Sequence, residues 1–170
     1  MEKLPLILLG SARKNSNTEK FLEKVSAGQE YKLLDLLDFT VSPYNYEHNY
    51  PETDNFSELA DAMLRHQVLI FATPVYWYAM SGLMKTFFDR LTDLVTVKKE
   101  IGRKLKGKSV FLIAVGADEA LPNGFEEPFR LTSDYLEMSY KGCIYHSEEL
   151  SLKEENLTIF QNNLRSALNS

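Results

Sequence analysis

Leu4-Pro5-Leu6-Ile7-Leu8-Leu9-Gly10-Ser11-Ala12-Arg13-Lys14-Asn15-Ser16-Asn17-Thr18 opens the chain's regular structure, and its reading decides the fold. The run Leu4–Leu9 is nearly continuous in apolar character rather than alternating, as expected of a strand covered on both faces. Four more runs read the same way: Tyr31–Leu36, Val68–Ala72, Ser109–Val115 and Tyr140–His146. Between them lie stretches with helical spacing. They are marked by Phe21, Leu22 and Val25, by Phe56, Leu59, Ala60, Met63 and Leu64, and by Leu83, Phe87, Leu91 and Leu94. A weaker one covers 127–138, and Leu157, Phe160, Leu164 and Leu168 follow a capping-box pattern, Ser151 with Glu154. Strand and helix alternating five times predict an α/β sandwich, a five-stranded parallel sheet with helices on both faces. All 170 residues read as a single domain.

Composition removes several classes of function. The formal charge of −5 and pI near 5.3 argue against a nucleic-acid partner. One cysteine, Cys143, excludes an intrachain disulfide, a cysteine zinc site and a cysteine-bound iron–sulfur cluster. His48, His66 and His146 lack metal spacing, so no metal is expected. The longest apolar run falls far short of the ~20 residues of a membrane helix, and it is also too short for a signal-peptide core. The expectation is a soluble cytoplasmic protein without a membrane partner.

Ligands of open parallel sheets bind beyond the carboxyl ends of the strands. After the first strand come hydroxyls at Ser11, Ser16 and Thr18, amides at Asn15 and Asn17, and the cations Arg13 and Lys14. A helix then begins, so free N–H groups and the helix dipole add to an anion site. The loop has neither the Gly-Lys-Ser/Thr end of a triphosphate loop nor a G-x-G-x-x-G pattern, which leaves a cradle for a phosphomonoester. A helix cap alone would need one such residue. After the third strand, Thr73-Pro74-Val75-Tyr76-Trp77-Tyr78 sets three aromatics where a planar ligand could lie, or where they could pack on the sheet edge or a second subunit. Ser81 is placed to cap the next helix, and Lys85 and Asp89 to pair along it. Two long loops, Leu37–Asn55 and Gly116–Phe125, are candidates for function. The basic residues between Lys98 and Lys108 read as a solvated connection, or as attraction for an anionic substrate.

The pairing of Gly10-Ser11-Ala12-Arg13…Ser16-Asn17-Thr18 with Pro74-Val75-Tyr76-Trp77…Ser81-Gly82…Lys85…Phe88-Asp89-Arg90 resembles the flavodoxin-like NAD(P)H-dependent FMN reductases and quinone reductases. The resemblance implies strand order 2-1-3-4-5 and FMN as cofactor. It puts the phosphate on Ser11, Arg13, Ser16, Asn17 and Thr18, and the isoalloxazine against Pro74, Val75, Tyr76 and Trp77. Gly116 and Ala117 would close the other side of the ring. It further implies NAD(P)H as co-substrate and a small-molecule acceptor such as a quinone, a nitro- or azo-aromatic, or free flavin. No acid–base catalyst is singled out. Unlike the iron–sulfur members, this chain has no cysteine after its second strand, and Asp118 and Glu119 bring negative charge beside the ring. A flavodoxin-type electron carrier with a protein partner, and a flavin-free scaffold, are the other readings of the fold. On a helical wheel Leu83, Met84, Phe87, Phe88, Leu91, Leu94 and Val95 form an apolar arc, with Lys85, Asp89, Arg90 and Asp93 outside it. The arc is wider than a core-facing stripe needs: either neighbouring helices and loops of the same chain cover the surplus, or a homodimer or dimer of dimers does.

Overall fold

The computed structural model describes residues 2, 4–26 and 28–169. The strands are β1 (Leu6–Leu9), β2 (Lys32–Asp35), β3 (Val68–Tyr76), β4 (Ala79–Met80), β5 (Ser109–Gly116) and β6 (Ser139–Ser147). The helices are α1 (Asn17–Ser26), α2 (Phe56–Arg65), α3 (Gly82–Arg90), α4 (Thr92–Val95), α5 (Lys99–Gly102), α6 (Glu127–Tyr135) and α7 (Glu154–Leu168).

The long strands run parallel in the order β2-β1-β3-β5-β6, which is the expected 2-1-3-4-5 once the two-residue β4 is set aside. That short strand returns antiparallel against β3, pairing Val75 with Met80 and Tyr76 with Ala79. The apolar runs are continuous because each strand feeds two cores by turns. Leu6, Leu8, Leu69, Phe71, Val110 and Leu112 pack toward α2, α3, α4 and α6. Ile7, Leu9, Ile70, Phe111 and Ile113 pack toward α1 and α7. A two-residue period on a sheet covered on both faces leaves no polar positions. Among the described residues no helix is long and apolar enough to cross a membrane.

Four local expectations are corrected. The stretch from Leu83 to Leu94 is two helices, α3 and α4, meeting at Leu91, rather than one, although Leu91 and Leu94 stay on the buried face. Arg90 and Asp93, expected on the polar face, are each 2% exposed, because the loop following β2 folds over them. Lys108 is buried rather than solvated, and its ammonium donates to the carbonyls of Leu64 and His66 at 3.0 and 2.6 Å, tying β5 to the end of α2. The capping box at Ser151 does not form: α7 begins at Glu154 after Lys153, with no side-chain cap.

Candidate functional site

The loops following β1, β3 and β5 meet at the carboxyl end of the sheet. Gly10 N–H donates to the Ala72 carbonyl at 2.8 Å, and the Ser81 hydroxyl donates to the Gly10 carbonyl. Ser81 also accepts from Met84 N–H at 3.1 Å, so the predicted cap of α3 joins the first loop to the second. A side chain at Gly10 would put its Cβ 2.9 Å from Met84 Cβ, so only glycine lets the loop pass this close to α3. At Gly116 a Cβ would lie 2.9 Å from the Tyr145 hydroxyl and 3.1 Å from Val75 Cβ, which fits the third loop tightly against the second.

In the first loop Ser11, Ser16 and Thr18 are buried, while Arg13 is exposed. Ser16 precedes α1, its hydroxyl accepting from Glu19 N–H at 3.2 Å. Asn17 donates through Nδ2 to Glu148 Oε1 at 2.6 Å, which links the loop to the segment following β6. Lys14 turns away from the others and bridges Asp35 (2.8 Å) and Asp38 (2.7 Å). Those two carboxylates raise its pKa and leave Arg13 as the cation of the loop that is free of this clamp. Hydroxyls at the N-terminal end of a ten-residue helix, beside an exposed guanidinium, fit a phosphomonoester.

Pro74 is buried at the end of β3, Val75 is half-buried, and Tyr76, Trp77 and Tyr78 are 44%, 93% and 69% exposed. Trp77 and Tyr78 therefore stand largely clear of the described residues, while Tyr76 is about half covered as the last residue of β3. The three form a hairpin tip, with φ of 49° at Trp77 and 65° at Tyr78, the positive values at both central residues that a type I′ turn requires. Across from it Gly116 is buried, and Ala117 begins an exposed stretch that includes Asp118 and Glu119. The Tyr145 hydroxyl donates to the Asp118 carbonyl at 2.7 Å. Burial, then the charges of Asp118, Glu148 and Glu149, raise the Tyr145 pKa. Exposed rings on one wall and a tight glycine turn on the other fit a flat aromatic group.

The loop preceding α2 carries an arrangement that sequence reading missed. Arg90 donates to Asp54 Oδ2 at 2.7 Å, to Asp93 Oδ2 at 3.0 Å and to the Ser42 carbonyl at 3.0 Å. Its guanidinium carbon lies 3.4 Å from the centroid of the Tyr50 ring and 4.6 Å from that of Phe56. Asp93 also accepts from the Tyr50 hydroxyl at 3.2 Å and pairs with His48 Nδ1 at 2.8 Å. The network fastens the loop to α3 and α4.

A sandwich of this strand order, with a phosphate-type loop after β1 and an aromatic hairpin after β3, defines a flavodoxin-like flavoprotein. Residues 5–142 match the NADPH-dependent FMN reductases, and the chain belongs to that family. FMN is accordingly its cofactor and NAD(P)H its co-substrate. Among similar proteins is YwqN of Bacillus subtilis (strain 168), whose provisional name is NAD(P)H-dependent FMN-containing oxidoreductase. It is 27% identical over 147 residues, 81% of each chain. Solved structures that share the fold include two from bacteria. The Trp repressor binding protein of Bacillus subtilis has a TM-score of 0.68 and 23% identity over 96% of each chain. General stress protein 14 of Treponema denticola, in complex with FMN, has a TM-score of 0.62 and 17% identity over 98% of this chain and 96% of that one.

Proposed function

We propose that this oxidoreductase holds FMN with its phosphate on Ser11, Arg13, Ser16, Asn17 and Thr18, and its ring between Pro74–Trp77 and Gly116–Ala117. The observation that carries the reading is the convergence of these three loops, through Gly10, Ser81 and Gly116, at one end of the sheet. The chemistry FMN supplies when bound is two-electron transfer between NAD(P)H and an acceptor, here a quinone, a nitro- or azo-aromatic or free flavin. The chain's own part is to bind, orient and shield. Hydroxyls and backbone N–H groups of the first loop donate to the phosphate, with Arg13 adding a charge-assisted contact. Pro74 and Val75 stiffen the wall behind the ring, and Tyr76 and Trp77 cover it. The acids near Tyr145 disfavour further negative charge on that side, and no side chain is nominated for proton transfer.

A second copy of the chain completes the proposal. Beside α3 and α4 a groove of about 430 Å³ is lined by Phe88, Leu91, Val95, Leu131 and Tyr135. Leu131 and Tyr135 are 53% and 74% exposed, and an apolar surface of this kind suits a self-complementary contact.

The test is anaerobic mixing of the flavin-loaded protein with NADH and with NADPH. Rapid bleaching of the flavin band is expected. Bleaching by dithionite but by neither nucleotide would make the protein an electron carrier, and a protein that purifies colourless and takes up no FMN would be a scaffold.

A further inference from the structure

The end of β6 holds the third loop by two of its carbonyls. Glu148 N–H donates to the Gly116 carbonyl at 2.8 Å, and the Tyr145 hydroxyl donates to the Asp118 carbonyl at 2.7 Å. Tyr145 reaches the loop because small residues on β5 keep its path clear. Its register partner is Ala114, and at Gly116, two residues on, a Cβ would lie 2.9 Å from the hydroxyl. Ser147 adds little. Its hydroxyl is 3.5 Å from the Ala117 carbonyl, at the outer limit of a hydrogen bond, and it accepts from Glu149 N–H at 3.2 Å. In a trans peptide the carbonyl and the N–H that follows it point opposite ways. Carbonyls of Gly116 and Asp118 held toward β6 therefore turn the N–H groups of Ala117 and Glu119 away from it, and the other neighbour of β5 is β3. Among the described residues neither N–H has a hydrogen-bond partner.

We infer that Tyr145 is a positioning residue for the flavin, holding the peptide between Asp118 and Glu119 so that its N–H, with that of Ala117, donates to the polar edge of the ring. The inference rests on the proposed FMN position. Reduction adds electron density to that edge, so a donor fixed there favours the reduced form over the oxidised one. A peptide released from Tyr145 could turn over and present its carbonyl oxygen, which would repel the same density. The carboxylates of Asp118 and Glu119 oppose the donors. Both residues are exposed, however, and water and salt screen a charge there more than they weaken a bond made in contact with the ring. Burial and the neighbouring acids raise the Tyr145 pKa, which keeps the hydroxyl protonated and donating.

Tyr145→Phe removes the hydroxyl and keeps the ring that packs on β5, so the fold is retained. The test compares this variant with the wild type as flavin-loaded full chains. It measures the midpoint potential of the bound flavin and, separately, the dissociation constants of oxidised FMN and of FMN reduced anaerobically with dithionite. Affinity for the reduced form should fall about tenfold while that for the oxidised form changes little, which is a potential about 30 mV more negative. Amide exchange in the wild type should slow at Ala117 and Glu119 when FMN is added, and the slowing at Glu119 should vanish in Tyr145→Phe. Equal weakening of both redox forms, which a merely structural role would give, overturns the assignment. So does exchange at Glu119 that FMN leaves unslowed in the wild type. FMN uptake by the wild type is read first and alone. A chain that takes up none loses both readings, whereas uptake with an unmoved affinity ratio in Tyr145→Phe sinks this inference only.

Discussion

Arg90 shows how one side chain can hold a long loop. It is 2% exposed and ion-paired to Asp54 and Asp93, themselves almost fully buried. Breaking such a group by removing one partner costs about 3–5 kcal/mol, since the remaining charges stay buried and uncompensated. Arg90→Met should therefore lower the urea midpoint sharply, and adding Asp54→Asn and Asp93→Asn should recover part of the loss. The pH dependence follows from the same site. Burial alone would raise the Asp54 carboxyl, but Arg90 and the N–H groups of Ser42 and Phe56 outweigh it and hold its pKa below the ordinary value. The stabilisation is then complete above the unfolded value, about 3.9, and is lost as pH falls through the lower folded one. Urea midpoints measured downward from pH 6 should show that loss in the wild type and a shallower decline in Asp54→Asn. Arg13 makes the contrasting case, an exposed cation whose value lies in its ligand. A charge-assisted bond contributes about 1.5–3 kcal/mol, so Arg13→Ala should weaken FMN binding tenfold or more in a fluorescence titration while leaving the urea midpoint unchanged.

Among the elements, the hairpin joining β3 to β4 departs furthest from what its residues prefer. Its turn places a tryptophan and a tyrosine at positive φ, a conformation that asparagine and glycine adopt more readily. Strain of this kind costs about 1–3 kcal/mol per residue and gathers at functional positions. Trp77→Asn should raise thermal stability and weaken FMN binding by about 1 kcal/mol, the scale of one aromatic stacking contact. A variant that gains stability with undiminished affinity would take Trp77 out of the ring site. The β3 run was legible as apolar only to Ala72, because Pro74 and the tyrosine that follows look like loop residues. Parallel pairing with β5 nevertheless carries the strand to Pro74, and β4 extends it to Tyr76. In the same way the wheel through Leu83–Leu94 found the apolar core face but misplaced Arg90 and Asp93. Nothing local in the helix announces a loop that brings Asp54 and Tyr50 to meet them from about forty residues earlier in the chain.

For the whole molecule, the two-sided core could be read from apolar runs and their punctuation, since burial on both faces writes itself into the central strands, whereas strand order came only with the family resemblance. The phosphate-type loop was legible as a donor cluster, but the division of labour within it was not. Lys14 looks equal to Arg13 until Asp35 and Asp38 are seen beside it. Assembly lies further from view. Phe88, which widened the apolar arc, packs against Phe71 and Phe129 of its own chain. The surface left for a partner is therefore carried more by Leu131 and Tyr135 on α6. Light scattering at micromolar concentration should give about twice the 19.5 kDa of one chain. Leu131→Glu should give the single mass with the fold retained, because that side chain is half exposed within one chain and a charge there is unpaired only in the dimer.

The bond from Asn17 to Glu148 carries a consequence for motion. A phosphate seated as proposed needs the Asn17 amide and brings like charge toward the carboxylate that now holds it. Loading the cofactor would then untie the segment following β6 from the first loop, while the first loop itself becomes more ordered. Amide hydrogen exchange should record opposite changes at the two ends of this single bond: slower around Ser11–Thr18 and faster around Glu148–Lys153. Rigidity at the phosphate would be matched by a newly freed flap at the edge strand.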